Sequence, residues 1–113
     1  MTDCIFCSII AGKIPSQKVY EDEYVYAFRD ISPQAPVHIL IVPKVHIESA
    51  TNINSDNAYL VSKCFEAITK IAESENLNDG FRVITNSGKD AGQTVFHLHF
   101  HLLGGRPFGA GLV

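Results

Sequence analysis

The sequence predicts an α+β fold with an antiparallel sheet of about five strands, one short helix and one long helix. Two short runs rich in Tyr, Val and Phe are separated by an acidic turn, which is typical of a β-hairpin. A later apolar run is nearly continuous, which is typical of a central strand covered on both faces. The helical segments are inserted between strands rather than alternating with them, and this order favours α+β over a parallel α/β sheet.

The elements are expected at defined positions along the chain. In order they are a short helix at 5–11, strands at 18–21, 24–29 and 38–42, a long helix at 55–75, and strands at 81–85 and 95–103. Gly12 and Pro15 end the short helix, and Pro43 ends the third strand. In the long helix, apolar residues recur at spacings of three and four and therefore share one side. They are Ala58, Val61, Cys64, Phe65, Ile68 and Ala72.

Length and composition limit the class of protein. The chain has 113 residues, 46% of them hydrophobic, and no repeat or linker, so we expect one domain spanning 1–113. The formal charge is −3, from 9 basic and 12 acidic residues without a basic run, which argues against a nucleic-acid partner. No apolar run approaches the ~20 residues that span a bilayer, so no membrane association is expected.

The start of the chain and its cysteines bear on location. Residues 1–3 (Met-Thr-Asp) contain no basic residue, unlike the start of a signal peptide. The chain has 3 cysteines, an odd count that fits poorly with a secreted disulfide framework. We therefore expect a cytoplasmic protein.

Three histidines alternate with apolar residues in the run His97, Leu98, His99, Phe100, His101. On a strand, residues two apart share a face, so the imidazoles would line one face and the apolar residues the other. A core strand with incidentally exposed histidines is the simpler alternative. An unused row of ionisable groups is costly, however, and this favours a functional row.

Metal binding and phosphoryl chemistry are the two functions that this spacing suits. The first and last imidazoles of such a row are about 13 Å apart along a strand, too far to bind one zinc ion. Nucleophilic catalysis fits better, because a neutral imidazole attacks phosphorus while its neighbours donate hydrogen bonds to the phosphoryl oxygens. An unperturbed pKa of ~6.5 keeps both protonation states of histidine available near neutrality.

Three segments resemble the histidine triad (HIT) family. They are residues 30–38 (DISPQAPVH), 41–44 (IVPK) and 92–106 (GQTVFHLHFHLLGGR), and the resemblance extends over nearly the whole chain. The alternating histidine run is the family signature, and the first and last segments resemble the Hint branch. The resemblance implies a HIT-like fold and the hydrolysis or transfer of a nucleotide at a phosphorus bond.

The resemblance also implies catalytic roles for four residues. The middle histidine of the triad, His99, would attack phosphorus and form a nucleotidyl-histidine intermediate that water resolves. His101 would bind the phosphate oxygens, and His38 would hydrogen-bond near the nucleophile and tune its tautomer. Thr94 stands where Hint proteins often have a serine that contacts the phosphate and the leaving group.

Further positions match the nucleotide pocket of the family. Asp30 stands where an acidic residue binds the ribose hydroxyls. Five apolar positions match the base pocket, although each would also suit plain core packing, and three more match the phosphate pocket. The apolar positions are Ile5, Phe6, Ile9, Phe28 and Ile31, and the phosphate-pocket positions are Asn86, Gly92 and Gln93, besides Thr94, His99 and His101.

The spacing Cys4-x-x-Cys7 allows three interpretations. A thioredoxin-like redox pair requires a preceding strand, for which the first residues leave no room. The two cysteines are otherwise small core residues or metal ligands. By resemblance to family members with this pair, His46 and His97 would complete a structural zinc site that leaves the phosphorus chemistry to the other histidines. Cys64 is expected in the core.

The resemblance therefore implies a homodimeric hydrolase or transferase that cleaves the P–N bond of purine nucleoside phosphoramidates and needs no cofactor for the chemistry. The sheets of two copies would join, with the long helix and residues 110–113 contributing. A dinucleoside polyphosphate hydrolase, the related Fhit activity, is the alternative enzyme. A nucleotide-binding or scaffolding module without turnover is the alternative from another class, and the intact set of His38, His97, His99 and His101 argues against it.

Overall fold

The structure, a computed structural model, describes residues 4–112 and has the predicted architecture of a five-stranded antiparallel sheet with two α-helices. Its elements are α1 (Ile5–Ile10), β1 (Lys18–Glu21), β2 (Val25–Arg29), β3 (Val37–Pro43), α2 (Ala58–Ser74), β4 (Phe81–Ile84) and β5 (Phe100–Gly104), with 3₁₀ turns at Ala50–Asn52 and Lys89–Ala91. Residues 1–3 and 113, which entered the expectations about location and dimerisation, lie outside the described residues. Among residues 4–112, neither helix is long and apolar enough to cross a membrane.

The strands lie in the order β1, β2, β3, β5, β4, and each neighbouring pair is antiparallel. The last strand in sequence, β5, is therefore inserted between β3 and β4. In the register of β3 with β5, His38 is opposite Leu103 and Leu40 is opposite His101. Since His38 and Leu40 share a face, this register makes His38 and His101 neighbours on that face.

The two faces of the sheet carry different side chains. α2 covers one face, and α1 covers part of the other through Phe6 and Ile9. The face under α2 is formed by Val25, Ala27, Ile39, Ile41, Leu98, Phe100 and Leu102, packed on Cys64, Ala67, Ile68 and Ile71 of the helix. The face under α1 carries Tyr26, Phe28, Leu40 and Val42. Burial of both faces explains the nearly continuous apolar run of β3.

Local hydrogen bonds set the ends of α2. The helix begins at Ala58, three residues later than predicted, because Asn54 Oδ1 accepts hydrogen bonds from the N–H groups two and three residues further on and holds a turn. At the other end Asn76 has a φ of 61°, and the N–H of Leu77 donates to the carbonyl of Ala72. This is a Schellman ending, in which an Asn in the left-handed region stops the helix.

The predicted apolar side of α2 is confirmed at Cys64, Ile68 and Ala72, which are buried. It is wrong at Ala58, which is exposed at the first turn, and at Phe65, which is 44% exposed. Phe65 lies at the rim of the helix–sheet contact, where its ring meets Phe100 edge-on with centroids 5.3 Å apart. It therefore covers the core only with one edge.

The strand that was predicted over 95–103 is shorter than expected, because β5 begins at Phe100. Of the three alternating histidines, His101 alone lies in the strand. The preceding residues pair with no strand among residues 4–112 and are held by other contacts, such as the hydrogen bond from Leu98 N–H to the Ile47 carbonyl at 2.6 Å. The alternation nevertheless persists, since Leu98, Phe100 and Leu102 all lie in the core under α2.

Candidate active site

Four histidines lie on the face of the sheet beneath α1. His97, His38 and His99 are buried, at 0%, 5% and 8% exposed, and His101 is half-buried. Phe6 of α1 packs edge-on against His99, with ring centroids 5.1 Å apart, and against His97 at 6.0 Å. The burial contradicts the simpler alternative of incidentally exposed histidines, because buried imidazoles require hydrogen-bonding partners.

The hydrogen bond of His99 fixes which of its ring nitrogens is free. Its Nδ1 lies 2.7 Å from the backbone carbonyl of His97. Because a carbonyl only accepts, Nδ1 carries the proton and Nε2 keeps its lone pair. Within residues 4–112, every fully buried side-chain nitrogen or oxygen has a hydrogen-bonding partner. Nε2 of His99 has no partner there, so this atom is not fully buried and is accessible to a ligand. His99 thus presents the nucleophilic form of imidazole.

A chain of hydrogen bonds connects the Pro-rich loop to His101. The backbone N–H of Gln34 donates to Nδ1 of His38 at 3.0 Å, which places the proton of a neutral His38 on Nε2. That Nε2 lies 2.9 Å from Nδ1 of His101, so it donates and His101 carries its own proton on Nε2. His38 therefore contacts His101, which lies beside His99 with ring centroids 5.1 Å apart, and its expected effect on the tautomer of the nucleophile stays a prediction.

The carboxylate of Asp30 lies beside this chain. Its Oδ2 is 3.5 Å from Nε2 of His38, and its Oδ1 accepts a hydrogen bond from the N–H of Ser32 at 2.7 Å. One ligand atom each of Asp30, His38 and His101 lie within 4.8 Å of one another, close enough for a metal ion. The chain of hydrogen bonds argues against a metal there, because the proton on His38 Nε2 occupies the direction that a metal would need.

Burial controls the charge of these imidazoles. It lowers the pKa of His38, against the opposing effect of Asp30. Burial, together with the neighbouring His99 and His38, also lowers the pKa of His101 to about 4, against the opposing effect of Asp30. Both imidazoles are consequently neutral near pH 7, and His101 is a neutral N–H donor.

A cleft of about 520 Å³ opens beside Asp30, between the segment that follows α1 and the end of β2. Four of the predicted nucleotide-binding residues line it, namely Ile9, Phe28, Asp30 and Ile31, together with Pro15, Ser16, Gln17 and Arg29. Ile31 is 98% exposed at this cleft. An unsupported apolar side chain beside an acidic residue suits a ligand with an apolar face and hydroxyl groups.

The other two predicted base-pocket residues do not line this cleft. Phe6 is buried between the cleft and the nucleophile, since its ring contacts Phe28 edge-on at 5.5 Å and His99 at 5.1 Å. Ile5 is 47% exposed on the first turn of α1. Phe6 therefore joins the cleft to the histidines as a packing element.

A second cleft, of about 550 Å³, lies at the β4 edge of the sheet. It is formed by the turn after α2, the start of β4 and the segment after β5, and contains Arg82, Arg106 and Phe108 but no histidine or cysteine. Among the described residues that line it, Asp79 is the one carboxylate, and none carries an imidazole or a thiol. Among the described residues no histidine lines the first cleft either, but its Asp30 lies 3.5 Å from Nε2 of His38, so this cleft adjoins the histidines.

The loop between β4 and the triad contains the predicted phosphate-pocket residues. The side chain of Gln93 is used inside the protein: its Nε2 donates to the carbonyls of Glu48 and Val95, and its Oε1 accepts from the N–H of Gly88. The backbone N–H groups of Gly92 and Gln93 also bond within the loop. These two residues shape the loop, and their contact with phosphate stays a prediction.

Two further loop residues of the predicted site have different surroundings. Thr94 is exposed, and Asn86, which follows β4, is half-buried. Both lie outside the helices and strands, between β4 and the triad. Their assignment to the phosphate site also stays a prediction.

Cys4, Cys7, His46 and His97 form a second cluster on the same face, with one ligand atom of each within 4.8 Å of the others. Cys4 precedes α1, and its sulfur accepts a hydrogen bond from the N–H of Cys7 at 3.4 Å. The two cysteines are free thiols and not a disulfide. His97 directs Nδ1 into the cluster, because its Nε2 donates to the carbonyl of Pro43 at 2.8 Å.

The spacing and chemistry of this cluster fit a tetrahedral zinc ion. His97 Nδ1 lies 3.3 Å from Cys4 Sγ and 3.5 Å from Cys7 Sγ, and His46 Nδ1 lies 3.4 Å from Cys7 Sγ and 3.2 Å from His97 Nδ1. Ligand atoms around a tetrahedral zinc with S and N donors are about 3.4 to 3.8 Å apart. A second hydrogen bond such as that of His97 to a carbonyl is typical of a metal-bound imidazole.

The sequence did not reveal several groups that position the site. Gln34 and Pro43 act through backbone atoms, which no pattern of side chains can reveal. Thr85 directs Oγ1 to the carbonyl of His99 at 2.8 Å, where β4 no longer pairs with a strand. A hydroxyl residue at the last position of a predicted strand is the one signal that the sequence offered.

Comparison with known proteins identifies the family of this chain. The model of the HIT domain matches residues 11–108. The chain is 46% identical to the purine nucleoside phosphoramidase of Escherichia coli K12 over 108 residues, which are 95% of this chain and 91% of that protein.

Solved structures are similar as well. The HIT family hydrolase from Clostridium thermocellum superimposes with a TM-score of 0.98 at 48% identity and covers 100% of this chain and 99% of its own. The histidine triad nucleotide-binding protein from Candida albicans gives 0.80 at 39% identity, covering 88% and 73%. With this fold, these matches and the intact histidine run, the chain belongs to the histidine triad (HIT) family.

Proposed function

We propose that this protein is a hydrolase that cleaves the P–N bond of purine nucleoside phosphoramidates, such as conjugates of adenosine monophosphate with amines, through a nucleotidyl intermediate on His99. The carrying observation is the hydrogen bond from His99 Nδ1 to the His97 carbonyl, which leaves Nε2 free as a nucleophile. His101 supplies a neutral N–H donor beside it, with ring centroids 5.1 Å apart. A nucleophile and an adjacent donor are what phosphoryl or nucleotidyl transfer requires.

The reaction proceeds in two balanced steps. In the first, the lone pair of His99 Nε2 forms a bond to phosphorus while the bond from phosphorus to the amine breaks. The amine leaves with the bonding pair and takes one proton from the site. In the second, water attacks phosphorus, the bond to Nε2 breaks and its electron pair returns to the ring. The proton that water loses replaces the one used in the first step.

The remaining groups bind the substrate. The His101 Nε2–H donates to a phosphoryl oxygen, where charge develops in the transition state. Asp30 accepts hydrogen bonds from the ribose hydroxyls, and the base lies against Phe28 and Ile31 in the 520 Å³ cleft. Thr94, at the start of the triad segment, reaches the phosphate and the leaving group with its hydroxyl.

Two relatives support hydrolysis of this kind. One named as a purine nucleoside phosphoramidase is 46% identical over nearly the full chain, and one named as a HIT family hydrolase has a TM-score of 0.98. The finer specificity for adenosine monophosphoramidates is our own proposal, and it depends on the single acidic residue and the apolar cleft described above.

The decisive experiment compares two substrates with two proteins. Wild type and His99→Gly are incubated with adenosine 5′-phosphoramidate and with a diadenosine polyphosphate, and product is followed by chromatography. Turnover of the first substrate alone, abolished in the variant, is the expected result. Preferred turnover of the second would support a dinucleoside polyphosphate hydrolase instead. Binding of adenosine monophosphate without turnover of either would support a binding or scaffolding module.

We also propose that Cys4, Cys7, His46 and His97 bind a structural zinc ion. When bound, zinc would tether the start of α1 to the triad segment without taking part in the phosphorus chemistry. The support is the set of S–N and N–N separations of 3.2–3.5 Å and the orientation of His97 Nδ1. Elemental analysis of the purified protein tests this, and wild type without metal after purification in the absence of chelators would rule the site out.

We further propose that two copies associate through β4 and α2. β4 is an outer strand of the sheet, and Phe81 on it and Phe65 on α2 are each 44% exposed. An exposed strand edge with adjacent apolar side chains suits pairing with a second copy. Analytical ultracentrifugation of wild type and Phe65→Glu should show a dimer that the substitution dissociates. A monomeric wild type at micromolar concentration would contradict the proposal.

A further inference from the structure

We propose that the backbone N–H of Gln34 is a positioning group for the reaction: it fixes the protons of the His38–His101 pair so that His101 always presents its Nε2–H to the substrate. This inference rests on the proposed function, because it assigns the origin of the donor used there. It concerns a backbone atom of the Pro-rich loop, and it predicts that the side chain of Gln34 is dispensable.

The first step of the argument is the direction of the hydrogen bond. A backbone N–H can donate but cannot accept, so Nδ1 of His38, 3.0 Å from Gln34 N, must hold a lone pair. The proton of His38 is then on Nε2 and points to Nδ1 of His101 at 2.9 Å. His101 in turn has its proton on Nε2, the atom without a protein partner among residues 4–112. One amide thus sets two tautomers.

The second step concerns an additional proton. Each nitrogen of the pair except His101 Nε2 already takes part in a hydrogen bond, and Nε2 already carries a proton. A further proton on His38 Nδ1 would face the Gln34 N–H, and one on His101 Nδ1 would face the His38 Nε2–H. Either arrangement puts two donors together and breaks the chain. The pair is therefore held neutral, which agrees with the low pKa of His101, about 4.

Asp30, the charged group beside the pair, favours the same tautomer, although its charge raises the pKa of both rings. Asp30 Oδ2, 3.5 Å from His38 Nε2, attracts the proton on that nitrogen and reinforces the same tautomer through its charge. His99, 5.1 Å away between ring centroids, faces His101 from the triad segment. Asp30, His38 and His99 are the titratable groups of the described residues that shift the pKa of His101.

The loop is built to hold this amide in place. Pro33 and Pro36 flank it and restrict its backbone. Ser32 donates its N–H to Asp30 Oδ1 at 2.7 Å. The side chain of Gln34 is exposed, so substituting it leaves the N–H where it is.

The test replaces the amide and not the side chain. An α-hydroxy acid analogue of glutamine at position 34, incorporated by semisynthesis, exchanges the N–H for an ester oxygen that cannot donate. Gln34→Ala is the matched control because it keeps the amide. Both proteins and wild type are labelled with ¹⁵N in the histidine rings, and the protonated nitrogens of His38 and His101 are read from their chemical shifts as a function of pH.

We expect wild type and Gln34→Ala to show a proton on Nε2 of both rings and the same titration. In the ester protein, Nδ1 of His38 is free to take a proton, so mixed tautomers appear and the pair protonates about one pH unit higher. The acid limb of kcat/KM for adenosine 5′-phosphoramidate moves up by the same amount, and kcat/KM near pH 7 falls about twofold, because about half of the molecules then hold His101 in the other tautomer.

Two results would overturn the inference. One is an ester protein with the ring protons and titration of wild type, and the other is a Gln34→Ala protein that reproduces the effect of the ester. The spectroscopic measurement requires no turnover. A wild type that hydrolyses no phosphoramidate would therefore defeat the proposed function and still leave the position of the ring protons to decide this one.

Discussion

His97 and His99 are two residues apart on the same face of the sheet, yet they are suited to opposite tasks. His97 donates from Nε2 to the Pro43 carbonyl and turns Nδ1 to two thiols, whereas His99 donates from Nδ1 to the His97 carbonyl and leaves Nε2 open. The residue type and spacing are the same in both cases. The difference shows that the carbonyl facing an imidazole decides what the imidazole can do.

The surroundings separate the proposed zinc cluster, to which His97 belongs, from the histidines of the proposed reaction, His99 and His101. His97 is fully buried and lies in a closed cluster of four ligands, as in structural metal sites. His99 and His101 each have a nitrogen without a protein partner among the described residues, which leaves room for substrate. Four ligands around one point suit a structural metal ion, whereas a ring nitrogen without a protein partner suits contact with a substrate. The following four experiments test this contrast.

The largest effect is expected from removing the nucleophile. In His99→Gly, turnover of adenosine 5′-phosphoramidate should fall at least ~10³-fold, because binding and hydrogen bonding remain but no covalent intermediate forms. Steady-state kinetics measures the loss, and elemental analysis should find the metal content of wild type. Residual activity within tenfold of wild type would mean that another group attacks phosphorus.

Removing one thiol should affect the proposed zinc cluster and not the histidines of the proposed reaction. Cys4→Ser should lose bound zinc and about 3 kcal/mol of unfolding free energy, the amount contributed by a ligand at roughly a hundredfold its Kd. Urea unfolding with and without a chelator measures it. Cys64→Ala, which changes a buried thiol on the other face, serves as the control and should keep its metal. Equal metal content in the two variants would remove Cys4 from the site.

Acid should destabilise the folded protein through His101. Its pKa is about 4 in the folded protein and ~6.5 in the unfolded chain, so the unfolded chain binds more protons between these values. Stability is therefore lost as the pH falls from about 6.5 to about 4, by about 1 to 2 kcal/mol after allowance for the partly exposed ring. His101→Gln, measured by urea unfolding across this range, should lack this part of the slope. A slope as steep as that of wild type would contradict it.

The smallest effect is expected from the backbone support of the nucleophile. Thr85→Val keeps the shape of the side chain and removes the hydrogen bond to the His99 carbonyl, worth about 1 kcal/mol. We expect the free energy of unfolding to fall by about 1 kcal/mol and kcat/KM to fall about fivefold, because the backbone of His99 loses its support. Thr69→Val, which removes a similar bond to the Phe65 carbonyl on the exposed side of α2, should leave turnover unchanged. Similar losses in both variants would show that Thr85 is not specific to the site.

Much of the fold was predictable from local patterns. The hairpin, the apolar β3 and the side of α2 with Cys64 and Ile68 follow from periodicity, which burial on one or two faces enforces. The errors lie where pairing or capping partners are distant or polar. β5 was predicted too long because residues before Phe100 alternate like a strand but have no strand beside them. α2 was predicted to begin too early because Asn54 holds a turn.

The candidate site was predictable to a different degree. The identities of His38, His99 and His101 came from the motif, and the tertiary structure brings them together with Asp30. The contact of His38 with His101 depends on the register of β3 with β5. A register between segments more than sixty residues apart leaves no trace in the spacing of either one.

The sequence alone determined that three imidazoles share a face opposite an apolar core, because the period of an extended chain requires it. It also determined which residues are able to act as nucleophile, donor or metal ligand. Only the tertiary structure decided which ring nitrogen of each histidine is free. That choice depends on carbonyl and amide groups such as those of Pro43 and Gln34, whose positions are set by the folding of the chain around the histidines.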